Sequence, residues 1–179
     1  MLQYIFDQYE DMTPLQETHI RALHHELLEP HLKQSPYLGA YKIQPNSVVE
    51  YNAQTKESRI VFQTADAGPI TAIAMHDLIC WYNTALHQEA WPIAVACEFV
   101  YRFLAIHPFQ DGNGRLGRGL FCLALLQSQD HAIVSVTPYI AIDRHIEQRR
   151  EEYYAVLNRC SGGQYQQDPT NYRIEHFLR

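Results

Sequence analysis

Apolar residues recur at helical spacing along most of the chain. In the first such segment, residues 13–29, Thr13 is placed as an N-cap, Pro14 at the first helical position and Gln16 in a capping box. The apolar stripe of this predicted helix is Ile20, Leu23, Leu27 and Leu28. Pro30 ends the helix, because proline cannot donate the next helical hydrogen bond.

Beyond residue 69 the same periodicity predicts four longer helices and a short last one. They span 72–87, 92–107, 114–127, 143–160 and a final turn capped by Thr170. The predicted inward faces of the first three are Ile73, His76, Ile79, Tyr82 and Leu86; Ala96, Phe99, Val100 and Phe103; and Leu116, Leu120, Leu123 and Ala124. Gly162 and Gly163 close the fourth.

One region has a different pattern. Residues 41–51 and 59–63 are rich in β-branched and aromatic side chains, and the polar turn NAQTKES separates them. This arrangement predicts a β-hairpin between the first helix and the others. The predicted fold class is therefore mainly α, a helical bundle with one β-hairpin, and no internal repeat or linker is visible.

Composition restricts the function classes. With 179 residues, of which 46% are hydrophobic and 19% charged, the chain fits one globular domain over 1–179. The formal net charge of −6 argues against the broad basic surface of a nucleic-acid binder. Any phosphate chemistry must therefore be local.

Cysteine usage and the absence of long apolar runs predict the compartment. The cysteines lie far apart, three of them in apolar helical segments, which indicates core thiols in a reducing environment: Cys80, Cys97, Cys122 and Cys160. The first ten residues have no basic region, and no segment approaches the roughly 20 apolar residues that cross a bilayer. We expect a cytoplasmic protein without membrane or nucleic-acid partners.

The segment HPFQDGNGRLGR, residues 107–118, carries the candidate chemistry. Its glycines spell the G-x-G-x-x-G of a dinucleotide-binding turn, but such a turn follows a strand, whereas helices are predicted on both sides here. An EF-hand is excluded because Arg115 stands where calcium needs an oxygen ligand. What remains is a tight loop between two helices, the second of which begins with free N–H groups.

Those N–H groups, with the small glycines beside them, form a cradle in which an anion can approach the backbone. Arg115 and Arg118 lie three residues apart on one helix, so both can reach a phosphate there. A carboxylate next to a phosphate needs a divalent cation between them, so Asp111 suggests Mg²⁺. His107 can act as general base for an incoming hydroxyl.

This segment resembles the H-x-F-x-[DE]-G-N-G-R-x-x-R signature of Fic-domain proteins at all eight specified positions. The resemblance extends over most of the chain and implies a single Fic domain with its core at 13–179 and a flap hairpin at about 38–63. Residues 92–106 look like the helix before the motif, and 152–154 like the tyrosine pair of a later helix. One departure is Lys42, where the flap commonly has Arg.

The resemblance implies transfer of AMP from ATP to a Tyr, Thr or Ser hydroxyl of a target protein, with release of pyrophosphate. His107 would deprotonate that hydroxyl, Asp111 would hold Mg²⁺ and Phe109 would anchor the loop in the core. The expected nucleotide contacts are Gly112, Asn113, Gly114 and Arg115 at the α- and β-phosphates, Arg118 at the γ-phosphate and Tyr154 near the adenine. The flap would align the target as an added strand, with Gly39, Tyr41, Lys42 and Ile43 as the docking residues.

Two alternatives stay open. Relatives with altered motifs transfer phosphate, UMP or phosphocholine, although Gly114, where the phosphorylating branch has Lys, favours AMP. An inhibited Fic fold could instead serve as a nucleotide-binding or partner-docking module without turnover. The identity of the target, the acceptor residue type and the oligomeric state, including a homodimer, are left open by the sequence.

The resemblance to Fic proteins raises the question of inhibition, because many of them carry an inhibitory helix with the motif [ST]-x-x-x-E-[GN]. The nearest segment here runs from Thr13 to Thr18, where Thr18 replaces Gly or Asn and the predicted capping box accounts for Thr13. Glu17 is therefore not expected to inhibit. We expect that the inhibitor has been lost by truncation or is a separate antitoxin-like protein that contacts Arg118, and that the 179-residue chain is active as it stands.

Other polar residues have simpler interpretations. A metal site among His19, His24, His25, His31 and His76 receives little weight, because no cysteine accompanies them and His24 and His25 point to different helix faces. Asn46 and Lys56 are interpreted as turn and surface positions.

Overall fold

The computed structural model describes residues 1–30, 36–52, 56–88 and 91–178, with only the backbone at 50–52. These residues form eight α-helices and one antiparallel two-stranded sheet. The elements are α1 (Leu2–Gln8), α2 (Glu17–Leu28), β1 (Ser47–Asn52), β2 (Glu57–Gln63), α3 (Pro69–Gln88), α4 (Pro92–Ile106), α5 (Asn113–Leu126), α6 (His131–Val136), α7 (Ile142–Gln148) and α8 (Arg150–Ser161). The predicted mainly α bundle with one hairpin is confirmed. His31 and the middle of the NAQTKES turn lie outside the described residues.

Helices α4 and α5 pack against each other, and the motif loop connects them. Residues on every side of α4 are buried, because α3, α5 and the C-terminal turn at Ile174–His176 all cover it. The predicted inward residues of both helices are buried: Ala96, Phe99, Val100, Phe103, Leu116, Leu120, Leu123 and Ala124. The motif loop is therefore held at both ends by core helices.

Helix α2 begins later than predicted. Its N-cap is Gln16, which forms a capping box with His19, and Thr13 is not the cap. The Thr13 hydroxyl instead accepts a hydrogen bond from Gln127 Nε2 at 2.9 Å. The imidazole of His19 accepts from the Gln16 backbone N–H, a role that glutamate or glutamine usually has.

Helix α3 buries Ile79 and Tyr82 as predicted, but the rest of its inward face differs from the prediction. Its buried residues are Thr71, Met75, Leu78, Ile79, Tyr82 and Ala85. Ile73 is 58% exposed, and His76 also lies on the surface. Thr71 can be buried because its hydroxyl donates to the Asp66 carbonyl at 2.6 Å, which a pattern of apolar residues alone does not reveal.

The single helix predicted at 143–160 is two helices, because Arg149 departs from helical geometry with φ −123° and ψ 37°. Gly162 closes α8 in the left-handed conformation, as predicted. In place of the short last helix predicted after Thr170, the structure has two 3₁₀ turns, one at Pro169–Asn171 with Asp168 as its N-cap and one at Ile174–His176. The Asp168 carboxylate accepts from the Thr170 backbone N–H.

The hairpin is shorter than predicted. Its first strand begins at Ser47 rather than at residue 41, and a bulge lies between Val48 and Val49. The base of the hairpin is attached to the helices, because the Ala65 N–H donates to the Ala105 carbonyl at 3.3 Å. Residues 36–46 precede the hairpin as turns and loop rather than as part of it.

All four cysteines are free thiols. Cys97, Cys122 and Cys160 are buried as expected, but Cys80 is exposed on α3, so the prediction of a core thiol was wrong there.

Among the described residues, no helix has both the length and the apolar character needed to cross a membrane.

Candidate active site

His107 ends α4 in the left-handed conformation, with φ 54° and ψ 58°. Its Nδ1 lies 3.2 Å from the Leu104 carbonyl oxygen. Since a carbonyl oxygen can only accept, Nδ1 carries the proton and Nε2 has the free lone pair. Burial lowers the pKa of His107 to about 4; the Leu104 hydrogen bond opposes this shift, the positive charge of Lys42 adds to it, and Asp111 opposes it. The imidazole is therefore neutral at pH 7.

The motif loop is closed by the side chain of Asn113. Its Oδ1 accepts from the Phe109 N–H at 2.9 Å, and its Nδ2 donates to the Phe109 carbonyl at 2.7 Å. Asn113 is only 1% exposed and both ends of its amide are bonded to Phe109, so this side chain closes the loop and is not available to a phosphate. Phe109 is fully buried, in agreement with the predicted anchor.

Helix α5 begins directly after Gly112, which has φ 81°. The first intrahelical bond runs from the Leu116 N–H to the Gly112 carbonyl. The backbone N–H groups of the preceding three residues therefore have no partner within the helix: Asn113, Gly114 and Arg115. These are the N–H groups from which the sequence predicted an anion cradle, and anion binding there stays a prediction.

Asp111 lies at the entrance to this cradle. Its Oδ1 accepts from the Gly112 N–H at 2.6 Å, and its Oδ2 pairs with Arg115 at 3.3 Å. No group of three His, Cys, Asp or Glu side chains that could hold a metal ion occurs in the described part of the chain. Mg²⁺ is commonly held by one or two carboxylates together with substrate phosphates, and a single exposed carboxylate beside an anion cradle fits that coordination.

Arg118 is held by contacts within the chain. Its Nε pairs with Asp143 at the start of α7, and its Nη1 donates to the Gly114 carbonyl at 3.0 Å. The guanidinium therefore lies over the first turn of α5. The residue expected at the γ-phosphate already has an anionic partner in this conformation.

A cavity of about 530 Å³ adjoins the cradle. His107, Gly114 and Arg118 line it together with Tyr154. Other lining residues come from the hairpin, α4, α7 and α8 and are mainly apolar, including Val48, Phe62, Leu104, Ile146 and Leu157. Four of the predicted site residues thus meet at one cavity, whereas Asp111 and Arg115 are not among its lining residues.

Three of the four residues predicted to dock a target are engaged inside the protein. The Gly39 N–H and carbonyl bond to His24 and Arg21, and the Tyr41 hydroxyl donates to Glu17. Lys42 is 1% exposed, so its side chain is not available to a target in this structure, and docking of a target at these residues stays a prediction. Only Ile43, which is 70% exposed, presents its side chain to the surface.

Three side chains that were not predicted as site residues contact the site. His24 bonds to the Asp111 carbonyl oxygen, Asn46 to the carbonyls of His107 and Phe109, and Asp143 to Arg118. The interpretation of Asn46 as a plain turn residue was therefore wrong. No spacing rule connects these residues, because each partner lies at least 25 positions away in the chain.

The fold and the loop define a helical domain in which a neutral histidine and an arginine line one cavity beside the N-terminus of α5. The chain belongs to the Fic/DOC family, whose pattern it matches over residues 14–125. The fit between sequence and family covers α2, the hairpin, α3, α4 and nearly all of α5.

Comparisons with individual proteins agree with this assignment. "Protein adenylyltransferase fic-1" of Caenorhabditis briggsae is 30% identical over 82 residues, which are 46% of this chain but only 14% of that relative's length. A Fic domain containing signaling protein from Bacteroides thetaiotaomicron superposes with a TM-score of 0.63 at 26% identity, over 99% of this chain and 60% of the other. A Fic family protein from Desulfovibrio desulfuricans G20 gives a TM-score of 0.68 at 25% identity, over 97% and 47%.

Proposed function

We propose that this domain is a protein adenylyltransferase, which transfers AMP from ATP to a Tyr, Thr or Ser hydroxyl of a target protein. The observation that carries the proposal is the neutral His107, with Nε2 unprotonated, on the wall of the cavity that Gly114 and Arg118 also line. The name of the nematode relative supports the same activity, over the part of that protein that this chain matches.

In the proposed reaction the phosphates of ATP lie at the N–H groups that open α5. Nε2 of His107 accepts the proton of the target hydroxyl as its oxygen bonds to the α-phosphorus, and pyrophosphate leaves with the broken P–O bond. Neutral imidazole is the state that this step requires, and burial of His107 maintains it at pH 7. Arg115 and Arg118 compensate the negative charge of the phosphates.

Asp111 is the residue that would hold Mg²⁺. When bound, the ion would neutralise phosphate charge during transfer. Arg115 must then release the Asp111 carboxylate, because the two are paired at 3.3 Å. Asp111→Asn is expected to raise the Mg²⁺ concentration that half-maximal activity requires.

The apolar part of the cavity is the proposed adenine site. Tyr154 lines it, and the Arg150 guanidinium lies 5.7 Å from the centre of the Tyr154 ring. A planar base can stack on such a ring, and the surrounding aliphatic side chains exclude water from its faces. ATP is the proposed substrate for this reason and because Gly114 leaves room beside the phosphates.

The test is incubation of the protein and cell lysate with Mg²⁺ and ATP labelled at either the α- or the γ-phosphate. AMP transfer predicts protein bands with the α-label and none with the γ-label. His107→Ala should abolish the labelling while ATP binding, measured by calorimetry, stays within about twofold, because the imidazole acts on the hydroxyl and not on the nucleotide. γ-Label on protein, or full labelling by His107→Ala, would contradict the proposal.

A second candidate is a nucleotide-binding or partner-docking module that does not turn over. The Arg118–Asp143 ion pair favours this candidate, because an arginine paired with Asp143 is not available to the γ-phosphate of ATP. The same incubation separates the candidates, since a binding module retains ATP without labelling protein. A separate inhibitory protein that contacts Arg118 stays a prediction, and it would have to compete with Asp143.

A further inference from the structure

We propose that Lys42, Asn46 and Thr64 are positioning residues for His107, and that their cluster fixes the main chain from which the imidazole projects. This inference rests on the proposed role of His107 as the general base. None of the three lines the cavity, so they would act through His107 and not on the substrate.

Lys42 is the centre of the cluster. Its ammonium donates to Asn46 Oδ1 at 2.8 Å, to Thr64 Oγ1 at 3.0 Å and to the Ile106 carbonyl oxygen at 2.9 Å. All three of its N–H bonds are therefore used, which explains how a lysine side chain can be 1% exposed. The third bond is made to the last residue of α4, next to His107.

Asn46 connects the Lys42 ammonium to the motif loop, because its amide bonds to both. Its Oδ1 must face Lys42, because an ammonium can only donate, and its Nδ2 must then face the carbonyls of His107 at 3.3 Å and Phe109 at 2.8 Å. Thr64, the residue directly after β2, supports it, since its hydroxyl lies 2.7 Å from the Asn46 carbonyl oxygen. The orientation of the amide is therefore determined by its partners.

The main chain of His107 needs such support. Its φ of 54° is disfavoured for a residue with a side chain, so the peptide groups on both sides must be held. The cluster holds the Ile106 carbonyl through Lys42 and the His107 carbonyl through Asn46. Rotation of either group would change the direction of the imidazole and weaken its hydrogen bond to Leu104.

The ammonium also acts on the imidazole by its charge. It contributes to the lowered pKa of His107, while Asp111 acts in the opposite direction. The negative charge of Asp66 partly counters the burial that lowers the lysine pKa to about 8. Loss of the lysine charge should therefore raise the pKa of His107, an effect that a purely structural residue would not have.

The experiment compares Lys42→Met, Lys42→Arg and Asn46→Asp with the matched control Thr71→Val. The control also removes a buried hydrogen bond, to the Asp66 carbonyl, but it has no contact with the motif loop. We expect Lys42→Met to lower kcat about tenfold or more with the KM for ATP within about twofold, and Lys42→Arg to recover most of the loss. Thr71→Val should lower Tm and leave kcat unchanged.

Asn46→Asp keeps a partner for the Lys42 ammonium but loses both N–H donors to the loop, so it tests the proposal even if Lys42→Met does not fold. It should lower kcat by a similar factor. A folded Asn46→Asp with the kcat of the wild type, or an equal loss of kcat in Thr71→Val, would overturn the proposal.

Histidine NMR gives a readout that needs no transferase activity. The pKa of His107, followed through its imidazole resonances, should rise in Lys42→Met and stay unchanged in Thr71→Val. Unchanged His107 resonances in Lys42→Met would overturn the positioning role. If the pKa of His107 shifts in Lys42→Met but the wild-type protein labels no target, the positioning role stands and the proposed transferase function is contradicted.

Discussion

His24 and Phe109 stack face to face, with ring centroids 3.9 Å apart and ring planes within 8° of parallel. The same imidazole accepts the Gly39 N–H at Nδ1, at 3.0 Å, and its Nε2 lies 3.0 Å from the Asp111 carbonyl oxygen. Because Nδ1 accepts, Nε2 carries the proton and donates to Asp111. One buried ring on α2 thus joins the segment before the hairpin to the motif loop.

His24→Phe is expected to retain the stacking and lose both hydrogen bonds. Two part-buried hydrogen bonds, to the Gly39 N–H and the Asp111 carbonyl, would be lost, so the free energy of unfolding should fall by about 2 kcal/mol. Urea denaturation followed by circular dichroism measures the change. The exposed neighbour provides the control, since His25→Phe should alter stability by less than about 0.5 kcal/mol. Equal effects of the two substitutions would show that the bonds of His24 contribute nothing.

The acid limit of activity should reflect the environment of His107. The base works in its neutral form, so the rate is retained above the pKa and lost as the pH falls through it. With a pKa of about 4, kcat/KM should be the same at pH 5.5 as at pH 7.5. A histidine with an ordinary pKa near 6.5 would already have lost most of the rate at pH 5.5. Initial rates of label transfer at both values, after a check that the protein stays folded, distinguish the two cases.

Gly114→Val should reduce activity without unfolding the domain. A Cβ at this position would lie 3.7 Å from Arg118 Nη1, an ordinary contact, so the fold has room for a side chain. The added methyl groups would instead enter the cavity at the phosphate cradle, and displacing ATP there should lower kcat/KM about 100-fold. Activity and Tm are measured on the same preparation. A stable variant with full activity would mean that the phosphates bind elsewhere.

Asp143→Asn should increase labelling, because it removes the negative charge that holds Arg118 away from a phosphate. We expect a lower KM for ATP, by about threefold to tenfold. Glu17→Gly is the comparison. The carboxylate of Glu17 accepts from the Tyr41 hydroxyl at 3.0 Å and lies 3.7 Å from His76, and it has no bond to Arg118, so no gain is expected. A large gain with Glu17→Gly and none with Asp143→Asn would assign the inhibitory role to Glu17.

The central helices could be predicted from the sequence because their signals are strong. α4 starts at the predicted Pro92, and α5 lies within one residue of the predicted bounds at each end, since a proline, a glycine-rich loop and long apolar stripes mark them. α1 and α6 were missed. They have seven and six residues, too few for a helical period to stand out.

The candidate site also has a part that the sequence predicts and a part that it does not. The residues of the motif are adjacent in sequence, so their types and spacing predicted a histidine, a carboxylate and an anion cradle together. Lys42 was misplaced because it stands among aromatic and β-branched residues that resemble a strand. Its burial depends on the Ile106 carbonyl, 64 positions away, and a contact of that kind follows from the tertiary structure alone.

The left-handed backbone of His107 has a consequence for how this protein evolves. An ordinary residue in that conformation costs about 1–2 kcal/mol relative to glycine. Drift toward glycine at position 107 would therefore relieve the backbone and remove the imidazole in the same step. Glycine would also lose the hydrogen bond from the imidazole to the Leu104 carbonyl, so part of the relief would be offset. If His107 is the proposed base, the backbone cost at this position is retained for the reaction and not for the fold.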